Sequence, residues 1–88
     1  MASATPPVRA RRTSRFDRDL AGAPSTIQRA FEKQLRFLLR DFRHPSLQAK
    51  KYDETRDIWQ ARVTQSWRFY FTIEGDAYIL RAIIPHPK

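Results

Sequence analysis

The sequence predicts an α+β fold in which an N-terminal helical hairpin packs on one face of a small antiparallel sheet of 3–4 strands. Two periodicities and one length carry this expectation. Apolar residues recur at helical spacing from Ile27 to Phe42, and from Ile58 onward they alternate at a spacing of two. At 88 residues the chain has material for one modest core, so the two patterns have to bury against each other.

Residues 1 to 8 hold two prolines and small side chains, can bury almost nothing, and are expected to be a disordered tail ahead of a single domain over residues 9 to 88. Val8 to Thr13 reads as a short edge strand, with Arg9, Arg11 and Arg12 guarding that edge against pairing with other chains. The same charges also suit an arm for nucleic acid. Ser14-x-x-Asp17 has the form of a helix N-cap with an acidic residue three positions on. Phe16 and Leu20 lie one turn apart, which predicts a short helix to about Ala21, ended by Gly22 and Pro24. Ser25-x-x-Gln28 opens a longer helix with apolar positions Ile27, Ala30, Phe31, Leu35, Leu38, Leu39 and Phe42. Its other face carries Arg29, Glu32, Lys33, Arg36 and Arg40, the pattern of a solvated helix surface. His44-Pro45 closes the helix, because a residue before proline is pushed out of the helical region, and His44 is expected to cap that end.

Lys50 to Glu54 predicts a short strand ahead of the main meander. Within the meander Trp59, Ala61 and Val63, then Trp67, Phe69, Phe71 and Ile73, then Tyr78, Leu80, Ala82 and Ile84 share one apolar face. A one-residue slip inverts a strand, so the register must keep these sets together. The simplest such register pairs Val63 with Trp67 across a three-residue loop and places Arg62 opposite Arg68. Gly75-Asp76 reads as a two-residue type II′ turn, pairing Glu74 with Ala77 and Tyr70 with Arg81.

That register gathers Arg62, Arg68 and Arg81 on the face turned away from the helices. Like charges placed opposite each other destabilise a sheet, by roughly 0.2–1 kcal/mol per pair. A shared anion relieves the cost, and so does splaying into water or pairing with nearby carboxylates. With Tyr70 among them as a stacking surface, the three arginines are a candidate polyanion site.

The composition narrows the chemistry. The chain has no cysteine, which excludes disulfides and thiolate chemistry, and His44 and His86 lie far apart with no carboxylate spacing that suits a metal. No metal and no small-molecule cofactor is expected. No run approaches the ~20 apolar residues of a membrane span, and the opening MASATPPVRARR lacks a signal peptide's apolar stretch, so a cytoplasmic protein without a membrane partner is expected. A net charge of +8 favours a polyanionic partner, nucleic acid being the commonest and acidic proteins the other class.

Five groups of residues fall in an order that resembles the RelE/ParE family of bacterial toxins. They are His44-Pro45-Ser46-Leu47, Lys50-Lys51, Trp59-Gln60-Ala61-Arg62-Val63, Trp67-Arg68-Phe69-Tyr70, and Arg81 followed by His86. No single motif decides; the order and spacing carry the likeness, which with the helical hairpin covers nearly the whole chain from about residue 8. The resemblance implies a RelE-like fold and a small toxin of a type II toxin–antitoxin pair. In the RelE branch such toxins cut messenger RNA in the ribosomal A site without a metal; in the ParE branch they inhibit DNA gyrase. A metal-free ribonuclease needs a base for the 2′-hydroxyl proton, cations for the phosphorane, and an acid for the departing 5′-oxygen.

Under the RelE likeness Arg62, Arg68 and Arg81 bind the scissile phosphate, and His86 is the acid or base, being the candidate whose ordinary pKa lies near neutrality. Lys50 or Lys51 acts as a phosphate ligand, or as base if neighbouring cations depress its pKa. Many RelE-type ribonucleases carry a further aromatic or polar residue past the last strand, where this chain ends at Lys88, and base stacking is then left to Tyr70 or Tyr52. The implied partners are messenger RNA, the ribosome and a cognate acidic antitoxin lying over the helical hairpin or the arginine face. The alternatives are a ParE-like gyrase inhibitor and a non-catalytic basic binding module.

Overall fold

The first strand sets the outermost edge of the sheet. In the computed structural model, which describes residues 9 to 86, the elements run β1 (Arg9–Arg12), α1 (Ser14–Ala21), α2 (Ser25–Arg40), β2 (Lys50–Asp53), β3 (Ile58–Thr64), β4 (Trp67–Glu74) and β5 (Ala77–Pro85). The predicted tail of residues 1 to 8 lies outside the described residues. The sheet has five strands in the order β1-β5-β4-β3-β2. It is mixed, where three to four antiparallel strands were expected. The meander leaves one edge of β5 open, and β1 fills it in parallel, from Arg9 beside Ala77 to Arg12 beside Leu80. Arg9 to Arg12 form an edge strand within the predicted stretch Val8 to Thr13, of which Val8 lies outside the described residues, and two of its arginines are tied to the protein itself: Arg9 to Asp76 at 3.3 Å and Arg12 to Glu32 at 3.3 Å.

The helix ends shift from their sequence positions for identifiable reasons. Thr13, not Ser14, caps α1: its N–H still belongs to the strand, donating to the Leu80 carbonyl, while its Oγ1 accepts from the Phe16 N–H at 3.1 Å. Pro24 occupies the N-cap of α2, and Gln28 turns back to donate to the Ala23 carbonyl instead of closing a capping box. α2 stops at Arg40, short of the predicted end at His44-Pro45, because Asp41 takes extended geometry and its Oδ1 accepts the Arg43 N–H, a local turn that competes with the helix. His44 organises the following turn by accepting the Ser46 N–H at Nδ1 and stacking on Phe37 at 3.8 Å.

Both helices cover one face of the sheet. Phe16 from α1 and Ile27, Phe31 and Leu38 from α2 meet Ala61, Val63, Phe69, Phe71, Tyr78, Leu80 and Ile83 from the strands. Gln34 is buried on the same helix stripe. Its Nε2 donates to the carbonyls of Ser46 and Arg62, and its Oε1 accepts from Ser46 Oγ, so the amide is satisfied inside the core and ties α2 to β3.

Two register shifts decide what faces outward. Across β3 and β4 Arg62 stands opposite Arg68 as expected, but a shift after Arg62 closes the hairpin at Thr64 and Trp67, not Val63 and Trp67. Across β4 and β5 Glu74 pairs with Ala77 as expected, and Gly75 alone takes positive φ in the turn, at +60°, which agrees with type II′. The ladder then shifts between Tyr70 and Phe71, leaving Arg81 as an extra residue. Tyr70 consequently pairs with Ala82, not with Arg81, and Ile83 replaces Ala82 and Ile84 as the core residue opposite Phe69. α1 covers the bulged stretch of β5: Asp19 Oδ2 accepts the Ile83 N–H at 3.2 Å, and Thr13 Oγ1 donates to the Arg81 carbonyl at 3.3 Å. Among the described residues no helix is long and apolar enough to cross a membrane.

Candidate functional site

The face of the sheet turned away from the helices collects the polar half of the strand alternation. In β2, Lys50 lies beside Gln60 and Lys51 beside Trp59. Alternation therefore sends Lys50 to the open face and Lys51 toward the covered one. There the Lys51 ammonium stands over the Trp59 ring at 5.0 Å, 2.6 Å from Asp57 Oδ1 and 3.8 Å from Glu54 Oε1. The hydrogen bond it donates to Asp57 leads in raising its pKa above the ordinary lysine value, against a smaller opposing effect of burial. Lys51 thus stays a cation and does not suit the role of base that a depressed pKa would have given it. Lys50 is exposed and makes no ion pair among the described residues.

Two hollows adjoin on this face, with Tyr52 common to both. The first, of about 450 Å³, is lined by Gln48, Lys50, Lys51, Tyr52, Gln60, Arg68 and His86. Among the described residues no carboxylate lines it. The second, of about 200 Å³, is lined by Arg15, Tyr52, Ile58, Tyr70, Arg81, Ala82 and Ile84. His86 reaches the first hollow because its N–H donates to the Ser66 carbonyl at 2.7 Å, which carries the β4–β5 ladder one position past the Trp67–Pro85 pair. Tyr52 and Tyr70 meet edge to face at 5.0 Å. Burial raises the Tyr70 phenol pKa, with Tyr52 adding to the shift and Arg68 opposing it.

The three arginines do not share one hollow. Arg68 lines the first, where its Nη1 donates to the carbonyls of Thr64 at 2.7 Å, Trp67 at 3.0 Å and Gln65 at 3.3 Å and so staples the tight loop. Its Nε and Nη2 make no hydrogen bond among the described residues. Arg62 lines neither hollow; its Nε is buried without a hydrogen-bond partner, and its backbone is held by Leu47 and Gln34. Arg81, displaced by the bulge, faces the second hollow and is bound to the protein's own Thr72 Oγ1 at 3.2 Å and Glu74 Oε2 at 3.1 Å. The expected convergence of Arg62, Arg68 and Arg81 on one phosphate assumed a regular ladder; the bulge carries Arg81 to the second hollow, and Arg62, although still opposite Arg68, lines neither.

The backbone path has close parallels among solved structures. A chain of the archaeal RelE–RelB complex from Pyrococcus horikoshii OT3 superposes with a TM-score of 0.74 at 15% identity, covering 91% of this chain and 96% of that one. The YoeB/ParE toxin from Agrobacterium tumefaciens gives 0.75 at 13% identity, with 90% and 99% covered. The fold is that of the RelE-type toxins. The toxin–antitoxin complex RelBE2 from Mycobacterium tuberculosis follows at 0.68 and 22% identity, with 94% and 95% covered. No family model and no curated protein matches the sequence.

Within the RelE-type fold several site residues escaped the sequence reading. Gln60 was visible as a polar position of the strand alternation, yet nothing marked it as part of a hollow. Gln48, with φ +46°, lies in the turn before β2 and carries no sequence signal. Arg15 reaches the second hollow only because parallel β1 brings α1 alongside β5, a placement that the periodicity of α1 does not contain.

Proposed function

We propose that this chain is the toxin of a toxin–antitoxin pair and acts as a metal-independent endoribonuclease on messenger RNA at the ribosome. The observation that carries the reading is the first hollow. Lys50, Arg68 and His86, drawn from β2, β4 and the segment after β5, line one recess free of carboxylates among the described residues, on a fold shared with RelE-type toxins. In this reading the uncommitted Nε and Nη2 of Arg68 and the ammonium of Lys50 hold the non-bridging oxygens of the scissile phosphate. They stabilise the extra negative charge as the 2′-oxygen attacks phosphorus and the bond to the 5′-oxygen breaks, leaving a 2′,3′-cyclic phosphate. His86 moves a proton, either from the 2′-hydroxyl or to the departing 5′-oxygen. Arg62, across from Arg68, adds positive potential. Lys51, at the margin of the first hollow and tied to Asp57 and Glu54, adds positive potential for RNA, Arg81 serves a flanking phosphate, and Tyr52 and Tyr70 offer rings for base stacking.

An acidic antitoxin is the complementary partner for a chain of net charge +8, and two of the similar structures are complexes of this kind, RelE–RelB and RelBE2. The test is primer extension on translated messenger RNA after induction in a cytoplasm without the partner. New 5′ ends are expected, and Arg68→Ala or His86→Ala should reduce cutting by about 100-fold or more, the scale of one proton-transfer or charge-stabilising group. The internal bonds of Arg68 and Arg81 favour a second reading, in which the open face is a protein-binding surface that poisons gyrase. Intact messenger with DNA breaks would establish that reading, and unaffected growth would leave a basic binding module.

A further inference from the structure

One extra residue in β5 decides where His86 lies. With Arg81 inserted, Tyr70 pairs with Ala82 and Trp67 with Pro85, and the next position sets the His86 N–H on the Ser66 carbonyl at 2.7 Å. Ala82, Ile84 and His86 then stand on the side of Tyr70 and Arg68, and His86 joins Arg68 and Lys50 around the first hollow. An uninterrupted ladder from Glu74 and Ala77 would set Tyr70 against Arg81 and Ser66 against Pro85. His86 would lie about 3.3 Å further along and face the helices, turned away from Arg68.

Apolar phase does not choose between the two ladders, since the uninterrupted one would turn Ala82 and Ile84 inward and the bulged one turns Ile83 inward. Two polar features do choose. Pro85 has no N–H, so opposite Ser66 it would leave that carbonyl without a donor, whereas opposite Trp67 it lets His86 supply the bond. The other feature lies at the outer edge of β5. β1 accompanies β5 only as far as Leu80, and from there Thr13 and α1 take the place of a strand. Thr13 N–H donates to the Leu80 carbonyl, Thr13 Oγ1 donates to the Arg81 carbonyl at 3.3 Å, and Asp19 Oδ2 accepts the Ile83 N–H at 3.2 Å. A carboxylate forms a shorter and stronger bond with a backbone N–H than a neutral acceptor does. The Asp19 side chain is 23% exposed against 63% for Arg15, its partner at 3.4 Å, so it is turned toward the sheet and not simply paired on the helix surface.

We infer that Asp19 is a positioning residue for the first hollow: its bond to the Ile83 N–H fixes the bulge at Arg81, and the bulge delivers His86 beside Arg68. The effect on cutting rests on the ribonuclease reading; the effect on strand register does not.

The experiment compares the full chain with Asp19→Ala and Asp19→Asn, reading strand register from NMR contacts between α-protons and activity from ribosome-dependent cutting. In the unaltered chain the Phe69 α-proton touches that of Ile83, its ladder partner. In Asp19→Ala this contact is expected to move to Ala82, and cutting to fall by about 100-fold, the scale of a reacting group displaced by an ångström or more. Asp19→Asn keeps a carbonyl oxygen for the Ile83 N–H and gives up the charge that pairs with Arg15. It should retain both the contact and the cutting, whereas a role through the Arg15 ion pair would make it behave as Asp19→Ala. If Asp19→Ala does not fold, as a thermal melt would reveal, Asp19→Asn decides alone, and a moved contact or lost cutting in it would overturn the inference. Persistence of the Phe69–Ile83 contact in a folded Asp19→Ala would overturn it as well. An unaltered chain that cuts no messenger would sink the ribonuclease reading and leave the hold of Asp19 on the register to be decided by the contacts.

Discussion

On its covered face the sheet meets the helices through one continuous run of rings. Phe16 touches Phe31, Phe31 touches Phe69, Phe69 touches Phe71 and Phe71 touches Tyr78, with centroids 5.1 to 5.8 Å apart. On its open face the same strands carry arginines whose bonds run to loop carbonyls, a threonine and a glutamate. Interdigitated rings admit one arrangement and lose contacts outright when any is removed. Exposed polar bonds exchange with water or with a ligand at little cost. Stability therefore rests on the covered face and the proposed recognition on the open one, and the bulge at Arg81 is where the two meet, since it sends Ile83 inward and Ala82 and Ile84 outward.

The sharpest break of this contrast is Phe31→Ala, because Phe31 is fully buried and stands between α1 and the sheet. It should cost about 3–5 kcal/mol in chemical denaturation, a large share of the ~5–15 kcal/mol that holds an ordinary domain. A loss no greater than that of an open-face arginine variant would remove the division of labour between the faces.

The covered face was largely legible from sequence because it follows two simple periods, and Phe16, Phe31, Phe69 and Phe71 fall where those periods place them. Gln34 was missed although a signal existed: it lies three residues after Phe31 and four before Leu38, on the buried stripe, and only its polarity argued against burial. The open face was legible in composition but not in geometry. The pairing of Arg62 with Arg68 survived because hydrophobic phase together with the shortest loop selects it, whereas the insertion of Arg81 leaves no trace in Ile79-Leu80-Arg81-Ala82-Ile83-Ile84, where apolar residues occupy both phases. The parallel entry of β1 is a long-range pairing and was equally invisible, and with it the place of Arg15.

A smaller effect sharpens the comparison on the recognition side. Glu74→Gln removes the carboxylate that holds Arg81 while keeping its shape. Stability should change by no more than about 1 kcal/mol, as for exposed ion pairs. Binding of a 2′-O-methyl RNA trinucleotide, which cannot be cleaved, should tighten by up to about fivefold, the same energy released to the ligand. Weaker binding would show that Glu74 positions Arg81 for use instead of competing for it.

At neutral pH the last contrast is silent, and it emerges only in alkali. Tyr78 on the covered face and Tyr70 on the open face both have phenol pKa values raised above the ordinary 10.0, in each case chiefly by burial, with Asp41 adding at Tyr78. A raised folded-state value means that the fold favours the protonated form. The associated stability is complete below the ordinary value and is lost as pH rises through the higher folded one. Lys51, raised above 10.5 by Asp57, follows the same sign in a slightly higher window. Stability should therefore hold up to about pH 9 and fall from about pH 10 upward. Tyr78 is 1% exposed and sealed among core rings, whereas Tyr70 is partly open, so Tyr78→Phe should flatten the alkaline fall in melting temperature more than Tyr70→Phe. Equal flattening by the two would mean that ionising a phenol on the open face disturbs the fold as much as ionising one inside it, contrary to the separation of the faces.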